Sequence, residues 1–279
     1  MINSQSLFFD KSMRTALITG GGGFLGIEHA YALSKENYNI ILTDISKDSL
    51  NRAKKNLVKR NPSIKINCCI MDVLNEKNVT SILNKFNKLG IDINILINNA
   101  AINPSLDNNS SLKNNDRIEN LSISNWEREL NVSLTGTLIC SKVFGSSMAE
   151  KKSGVIINIG SDLSIIAPDQ SLYEIRGTKT KLQPVKPISY SVSKHGVIGL
   201  TKYLAVYWAE QGIRVNAVSP GGVYNKQNKN FIRKLIKKIP MKRMAYTEDL
   251  HEVIRFLCSE NNKYMTGQNI IIDGGRTII

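Results

Sequence analysis

Residues 15–26, TALITGGGGFLG, decide the fold of this chain. Five β-prone residues, Thr15–Thr19, run into four glycines, after which the apolar residues take helical spacing. Gly21, Gly23 and Gly26 satisfy G-x-G-x-x-G, in which glycine permits a tight turn, close approach of the backbone to pyrophosphate, and packing of the helix on the strand. A run of four glycines fits several such templates, so the motif takes its meaning from the residues after it.

The alternation of strand and helix continues to the end of the chain. Short apolar runs predict seven strands, at Thr15–Thr19, Asn39–Thr43, Lys65–Ile70, Asn94–Ile97, Val155–Ile159, Arg214–Val218 and Asn269–Ile272. Helical patterns separate them, at about Leu25–Glu36, Lys47–Arg60, Asn75–Leu89, Ser124–Lys151, Ser189–Gln211 and Thr247–Ser259. Several runs are continuously apolar, as in strands covered on both faces. The sequence therefore predicts an α/β fold: one Rossmann domain over residues 1–279, with a doubly wound, seven-stranded parallel sheet and helices on both faces.

Three segments interrupt this alternation. Asn103–Leu121 is rich in Asn and Ser and is expected to be a surface loop, whereas residues 162–188 form a long insertion between a strand and a helix. Residues 224–244 are strongly basic and precede the last helix. Ligands of open parallel sheets bind at the carboxyl ends of the strands, so we expect the loops that follow strands to carry the function.

The composition is that of a globular protein, since 42% of the 279 residues are hydrophobic and 22% are charged. No signal sequence and no apolar run of about 18 residues is visible, so we expect a cytoplasmic protein with no membrane association. The cysteines are too few and too irregularly spaced for a disulfide framework and are expected in the core. They are Cys68, Cys69, Cys140 and Cys258, and no spacing of cysteine or histidine indicates a metal site.

The 37 Lys and Arg residues exceed the 23 Asp and Glu residues and give a net charge of +14. Such a charge attracts polyanions, so a nucleic-acid partner has to be weighed. The base composition of the source genome explains the lysines equally well, and the chain has no zinc-finger, RNP or aromatic-stacking pattern. We therefore expect no nucleic-acid partner.

Two acidic residues follow the second and third strands. Asp44 stands 18 residues beyond Gly26, where a carboxylate binds the 2′-hydroxyl of a ribose and repels a 2′-phosphate. The alternative for Asp44 is a residue that complements a helix dipole. Asp72 is placed to accept a hydrogen bond from an adenine amino group. The pattern favours NAD over NADP as the cofactor.

Three further segments complete the pattern. They read NNAA at 98–101 after the fourth strand, NIGS at 158–161 after the fifth, and YSVSK at 190–194 at the start of the next helix. Together with the glycine loop, the Pro220-Gly pair and a D-G-G sequence near the terminus, they make the chain resemble the short-chain dehydrogenase/reductase family from about Arg14 to Gly275.

The resemblance implies an oxidoreductase that moves a hydride between NAD and a secondary alcohol or ketone. It implies that Tyr190 is the acid and base, and that the charge of Lys194 lowers the Tyr190 pKa while its ammonium binds the nicotinamide ribose. Ser161 would hold the substrate oxygen, and Asn131 would order a water for proton relay. The implied cofactor-binding positions are Thr19, Gly20, Gly21, Gly23, Phe24, Leu25, Gly26, Asp44, Asp72, Val73, Asn99, Ala100, Ala101, Tyr190, Lys194, Pro220, Gly221 and Val223.

The chain departs from the family pattern at three places. Phe24 stands where the glycine loop has its penultimate glycine, and Ala101 stands where glycine commonly follows N-N-A. Ser161 and Tyr190 are 29 residues apart, a longer separation than the family's usual one. The extra residues are expected at the rim of the active site, where they would shape the choice of substrate.

Basic side chains are frequent in the insertion and in residues 224–244, the segment that forms a mobile substrate lid in the family. They are Lys226, Lys229, Arg233, Lys234, Lys237, Lys238, Lys242 and Arg243 in the lid, and Arg176, Lys179, Lys181 and Lys186 in the insertion. Two basic loops at one cleft suggest an anionic small molecule, such as a sugar phosphate or a nucleotide sugar.

A narrower resemblance points to a substrate class. The long insertion, KPISYSVSKHGVIGLT at 186–201 and DGGRT at 273–277 look like oxidoreductases of bacterial flagellin and surface-sugar modification, which are associated with nonulosonic acid pathways. Other possibilities stay open: a 3-oxoacyl or polyol reductase, a catalytically idle NAD-sensing regulator, and a nucleic-acid binder. The family also assembles through its two long helices, which implies a homodimer or homotetramer.

Overall fold

The computed structural model describes residues 9–102 and 116–279. Most of the loop predicted at Asn103–Leu121 therefore lies outside the described residues. Within the described residues, seven strands form one parallel sheet, in the order β3-β2-β1-β4-β5-β6-β7, which confirms the predicted fold class. The strands are β1 Thr15–Thr19, β2 Asn39–Asp44, β3 Ile66–Ile70, β4 Ile93–Asn98, β5 Gly154–Ile159, β6 Ile213–Pro220 and β7 Asn269–Ile272.

Helices flank the sheet on both faces. They are α1 Phe24–Ser34, α2 Lys47–Arg60, α3 Glu76–Lys88, α4 Ile123–Leu130, α5 Gly136–Glu150, α6 Ile188–Tyr207, α7 Lys229–Lys237 and α8 His251–Cys258. In the part of the chain that the structure describes, none of these helices is long and apolar enough to cross a membrane. The strands supply the two faces against which the helices pack.

Each face of the sheet has its own apolar layer. On one face, Phe86 of α3 and Phe144 of α5 are buried in the same cluster as Trp208, which follows α6. On the other, helices α1, α2 and α8 pack through residues such as Leu33 and Leu57. All five residues of β1 are buried, as are all six of β5, which is what continuous apolar strands between two helical layers require.

Two elements differ from the sequence prediction. The single helix expected at Ser124–Lys151 is broken by a π turn at Asn131–Thr135, which separates α4 from α5. At the end of this turn, a side chain on Gly136 would bring its Cβ within 2.7 Å of Val73 Cγ2, so only glycine lets the helix pass β3 so closely. The second difference is α7, a helix inside the segment that the sequence marked only as basic.

The strand order reverses between β1 and β4, and this is where doubly wound sheets bind their ligands. A buried chain of hydrogen bonds stiffens that edge: Asn98 Nδ2 donates to Asn158 Oδ1 at 2.8 Å, and Asn158 Nδ2 donates to Thr201 Oγ1 at 2.9 Å. These hydrogen bonds connect the ends of β4 and β5 to α6. Helix α6 is therefore fixed relative to the loops that follow these strands.

Candidate active site

The glycine loop between β1 and α1 is shaped by contacts that exclude side chains. Gly20 has a φ of +59°, and a Cβ there would lie 2.8 Å from Ala100 Cα. A Cβ on Gly26 would lie 2.4 Å from Gly20 O, so the start of α1 can pack on the loop only as glycine. Both positions need a residue without a side chain, the first for its conformation and both for space.

The amino end of α1 is open to an anion. Gly23 caps the helix without a side-chain hydrogen bond, and the first turn carries no acidic residue. The first N–H groups of a helix have no partner within it, and the helix dipole adds positive charge at that end. The loop therefore fits the pyrophosphate of a dinucleotide, because backbone can approach it closely and the first turn of α1 carries no acidic side chain.

Asn99 holds the loop from the neighbouring strand. Its Nδ2 donates to Thr19 O at 3.0 Å and to Gly20 O at 3.1 Å, while Thr19 Oγ1 accepts from the N–H groups of Asn99 and Ala100. These bonds join the end of β1 to the end of β4. The N-N-A sequence thus acts on the shape of the glycine loop, and Ala101 beside it is exposed.

Asp44 ends β2 beside the same loop. Its Oδ2 accepts from Gly22 N at 3.1 Å, and its Oδ1 accepts from Ser46 N at 3.0 Å. After β3, Asp72 is exposed, whereas Val73 is buried against α5. The carboxylates of Asp44 and Asp72 thus stand at the carboxyl edge of the sheet, on the side where β2 and β3 continue from β1.

A cavity of about 250 Å³ lies next to this loop. Its lining includes Phe24, Ser161, Asp162, Lys186, Tyr190 and Arg276. Phe24, the residue in place of the loop's penultimate glycine, therefore forms a wall between the glycine loop and Tyr190. Gly221 and Val223 line the cavity after β6, where Gly221 N donates to Ile272 O at 2.9 Å just beyond Pro220.

Tyr190 lies in the first turn of α6, with Lys194 one turn later on the same face. Lys194 Nζ donates to Ile159 O at 2.7 Å and lies 5.8 Å from the centre of the Tyr190 ring. Ser161 follows β5, and its hydroxyl lies close enough to Tyr190 for a hydrogen-bonding interaction that lowers the Tyr190 pKa. The structure thus brings together Ser161, Tyr190 and Lys194, three of the four residues predicted to be catalytic.

The pKa of Tyr190 differs from the sequence expectation. Burial raises it to about 12, and the hydrogen bond with Ser161 acts in the opposite direction. Burial also lowers the pKa of Lys194 to about 8. The expected lowering of the Tyr190 pKa is therefore wrong for the polypeptide alone, because desolvation of the phenolate outweighs the hydrogen bond with Ser161.

Asn131 is not among the residues that line the cavity. It opens the π turn, its side chain is exposed, and its Oδ1 accepts from Thr135 Oγ1 at 3.1 Å. Its carbonyl oxygen accepts from the N–H of Gly136 within the same turn. The structure therefore places Asn131 at an interruption of the helix, and its role in proton relay stays a prediction.

Two of the basic side chains of the predicted lid bind the insertion. Lys234 Nζ donates to Ser171 O at 2.7 Å and to Glu174 O at 3.1 Å, and Lys238 pairs with Asp169 at 2.5 Å. None of the lysines and arginines of residues 224–244, all of which the structure describes, lines the cavity. Of the twelve basic residues predicted on the two loops, all of which the structure describes, Lys186 alone lines the cavity, and the clamp stays a prediction.

Apolar contacts join the insertion and α7 in the same place. Leu172 and Leu235 are buried in one small cluster, and the rings of Tyr173 and Phe231 stand 5.6 Å apart. All four residues also line the cavity. The insertion and α7 therefore form one cover over the site.

Two cations enter the cavity from elsewhere. Lys186, at the end of the insertion, is buried, and its backbone N–H donates to Gln170 Oε1 at 2.8 Å. Arg276 comes from the last turn of the chain and pairs with Asp162. From sequence, Lys186 was one of several predicted rim residues, and Asp162 and Arg276 were missed, although Asp162 follows Ser161 directly and Arg276 follows the D-G-G sequence.

Comparison with known proteins gives the family. A family model described as enoyl-acyl-carrier-protein reductase matches residues 24–277. A 3-oxoacyl-acyl-carrier-protein reductase of Buchnera aphidicola is 33% identical over 94% of this chain and 96% of its own length. An NAD-dependent glycerol dehydrogenase of Listeria innocua is 28% identical over 97% of this chain and 98% of its own.

A solved structure agrees with these relatives. The short-chain dehydrogenase of Leptospira borgpetersenii with bound NAD⁺ has a TM-score of 0.80 and 30% identity, and the match covers 95% of this chain and 93% of that one. The residues matched by the family model begin at Phe24, near the end of the glycine loop, and include the Ser161–Tyr190 pair and most of the C-terminal turn. The chain therefore belongs to the short-chain dehydrogenase/reductase family and is an oxidoreductase that acts on alcohol or ketone groups with a nicotinamide cofactor.

Proposed function

We propose that the protein transfers a hydride between NAD and a secondary alcohol or ketone, with Tyr190 as acid and base. The observation that carries this proposal is the common position of Ser161, Tyr190 and Lys194 beside the glycine loop. Bound nicotinamide supplies the chemistry of accepting or giving the hydride. The protein's own residues have to hold the reacting carbon of the substrate in place and transfer one proton.

In the oxidation direction, Tyr190 takes the proton of the substrate hydroxyl, and in reduction it returns that proton to the carbonyl oxygen. Ser161 holds that oxygen through its hydroxyl. Lys194, anchored by the Ile159 carbonyl, keeps a positive charge close to Tyr190 and reaches the ribose. Because burial holds the Tyr190 pKa at about 12, the added positive charge of an oxidised nicotinamide would favour the phenolate when alcohol is to be oxidised. Asn131 remains our proposal for the residue that orders a relay water.

NAD is the proposed cofactor. Asp44 accepts from Gly22 N within the glycine loop, so its carboxylate lies close to where the adenosine ribose would follow the pyrophosphate. A carboxylate binds the 2′-hydroxyl and repels a 2′-phosphate. We propose that three groups of residues bind the cofactor. The glycine loop with Thr19, Phe24 and Leu25 would bind the pyrophosphate, and Asp72 and Val73 would contact the adenine. The residues at the ends of β4 and β6 would complete the site, namely Asn99, Ala100, Ala101, Pro220, Gly221 and Val223.

For the substrate we propose a sugar or sugar-phosphate derivative of surface-glycan biosynthesis, carrying an anionic group. Lys186 supports an anion, because its residue lines the same cavity as Tyr190. Residues 162–188 and 224–244 would act as the insertion and lid that select this substrate. The cavity itself is the site to test, since the lid cations lie outside its lining.

A second candidate is reduction of 3-oxoacyl groups or oxidation of polyols. It is favoured by the relatives, one a 3-oxoacyl-acyl-carrier-protein reductase and another a glycerol dehydrogenase. An idle NAD-sensing regulator is a third possibility, and the retained Tyr190 and Lys194 argue against it.

We expect the active protein to be a homodimer or homotetramer, in which the exposed side chains of Tyr203, Val206 and Tyr207 on α6 would be covered.

The test is NADH absorbance in the presence of NAD⁺ or NADP⁺ and a panel of free, phosphorylated and nucleotide-linked sugars and polyols, with 3-oxoacyl thioesters for the reverse reaction. Turnover that is lost in Tyr190→Phe would support the proposal. Tyr264→Phe is the matched control, because that side chain is fully exposed. Binding of NAD without any turnover would favour the regulator, and failure to bind either nucleotide would refute the proposal.

A further inference from the structure

The cavity contains a buried ion pair that the proposed reaction does not use. Arg276 Nη1 donates to Asp162 Oδ2, and the two side chains are only 9% and 5% exposed. Both residues line the cavity together with Tyr190. The pair joins the residue after Ser161 to the last turn of the chain, 114 positions away.

A buried ion pair is weak evidence for stability. Taking two charges out of water carries a penalty that their mutual attraction often only balances, and apolar residues of similar volume frequently do as well. The location of the Asp162–Arg276 pair therefore calls for another role. Its nearest partner in the site is Ser161.

Asp162 competes for the proton of Ser161. Ser161 Oγ donates to Asp162 Oδ1 at 2.9 Å and accepts from Leu163 N at 3.2 Å. The same hydroxyl interacts with the Tyr190 oxygen and lowers the Tyr190 pKa. A serine hydroxyl has one proton to give. The Asp162 carboxylate and the Tyr190 oxygen are thus alternative acceptors of that single proton.

The charge of Asp162 also acts on Tyr190. A carboxylate close to a phenol disfavours the phenolate, and Asp162 raises the pKa of Tyr190 in this way. Arg276 binds the other carboxylate oxygen, so it offsets the negative charge and weakens Asp162 as an acceptor for Ser161. Removal of Arg276 would leave an uncompensated carboxylate next to the proposed acid and base.

We propose that Asp162 and Arg276 are positioning residues of the reaction: Arg276 fixes and neutralises the Asp162 carboxylate, which in turn orients the Ser161 hydroxyl beside Tyr190. The inference rests on the proposed role of Tyr190. The other charged or titratable groups near Tyr190 are not substituted in the test. They are Lys194 on the same helix and Lys186 and Tyr173 of the insertion, and Glu129 and Asp116 act in turn on Lys186.

The test is the ionisation of Tyr190 itself, followed by NMR of full-length protein carrying tyrosine labelled with ¹³C at Cζ, with NAD⁺ added. Tyr190→Phe assigns the resonance. We expect Asp162→Asn to lower the titration midpoint by about one pH unit or more and Arg276→Met to raise it. In the variant with both substitutions, the titration midpoint of Tyr190 should lie clearly below that of Arg276→Met alone, because the uncompensated carboxylate is gone.

Controls separate this role from a structural one. Arg276→Lys keeps the positive charge, so the Tyr190 midpoint should stay close to that of the wild type. Lys238→Met breaks the ion pair with Asp169 outside the cavity and should also leave the Tyr190 midpoint unchanged. If Arg276→Met fails to fold, Arg276→Lys, Asp162→Asn and the double variant carry the comparison. Midpoints that coincide in these proteins, whether or not their melting temperatures fall, would overturn the inference.

The midpoint is measured without a substrate. An absence of turnover in the substrate panel would therefore contradict the proposed function and leave the NMR result to be judged separately. A shifted midpoint in a protein that oxidises nothing would show the pair acting on Tyr190 in a chain with another function.

Discussion

The ammonium of Lys186 lies 3.8 Å from the centre of the Tyr190 ring, inside the cavity. A cation over an aromatic face is attracted by the ring, and more strongly so where water is excluded. Lys186 belongs to the insertion and Tyr190 to α6, so the insertion reaches the proposed acid and base directly. The effect of Lys186 can be measured through the stability of the protein.

Lys186→Met should change how stability depends on pH. Burial lowers the Lys186 pKa from 10.5 to about 8, so between these values the unfolded state binds a proton that the folded state lacks. This lysine therefore makes the free energy of unfolding rise with pH over that window, by about 1.4 kcal/mol per pH unit at most. Melting temperatures of wild type and variant at pH 7 and pH 10 should differ most at pH 7, where the variant gains. A constant difference would contradict the prediction.

Asp44→Asn should change cofactor discrimination. The amide can still accept from Gly22 N, but it no longer repels a 2′-phosphate. We expect the Kd for NAD to rise about tenfold, which is about 1.4 kcal/mol, and the preference over NADP to shrink by at least as much. Titration of both nucleotides by calorimetry measures this. Asp72→Asn is a useful comparison, since its exposed carboxylate should leave the NAD to NADP ratio unchanged.

Gly20→Ala should abolish nucleotide binding and destabilise the fold. The φ of +59° costs a residue with a side chain about 1–2 kcal/mol, and the new Cβ would meet backbone at Ala100. Urea unfolding and NADH fluorescence would report the two losses. Gly199→Ala is the matched control, because a Cβ there meets nothing within 4 Å and should stabilise α6 by up to about 1 kcal/mol. Unimpaired NADH binding by Gly20→Ala would refute the assignment of the loop.

Thr201→Val should weaken the support of α6. The substitution leaves Asn158 Nδ2 buried without its acceptor, which costs about 1–3 kcal/mol, while the shape of the side chain is kept. Urea unfolding should show this loss. Ser81→Ala removes an exposed hydrogen bond of a hydroxyl to a helix carbonyl, and its effect should stay within about 0.5 kcal/mol. Equal losses in the two variants would contradict a special role for the buried chain of amides.

The fold was predictable because its signal repeats. Every strand was located to within one or two residues, since continuous apolar runs between helical patterns have few other solutions. The π turn at Asn131 was not predictable, because it depends on the close approach of Gly136 to Val73, which only the assembled sheet creates. Helix α7 was not predicted, because its segment stood out in the sequence only by its many basic residues.

The site was predictable where residues are neighbours in a motif. Tyr190 and Lys194 share a helix face at four residues' separation, and Ser161 follows a strand. Asp162 and Arg276 could not be paired from sequence, because no spacing connects the two segments. The direction of the Tyr190 pKa also needed the structure, since it depends on how much water the closed cavity excludes.

The bonds between Lys234 and the carbonyls of Ser171 and Glu174 have a consequence for engineering. The two segments that cover the cavity are 60 or more residues apart along the chain, yet each completes the surface of the other. An attempt to transplant substrate preference from a homologue by exchanging the insertion alone would leave α7 facing a foreign partner. If the two segments select the substrate as we propose, specificity depends on both, and the two should be exchanged together.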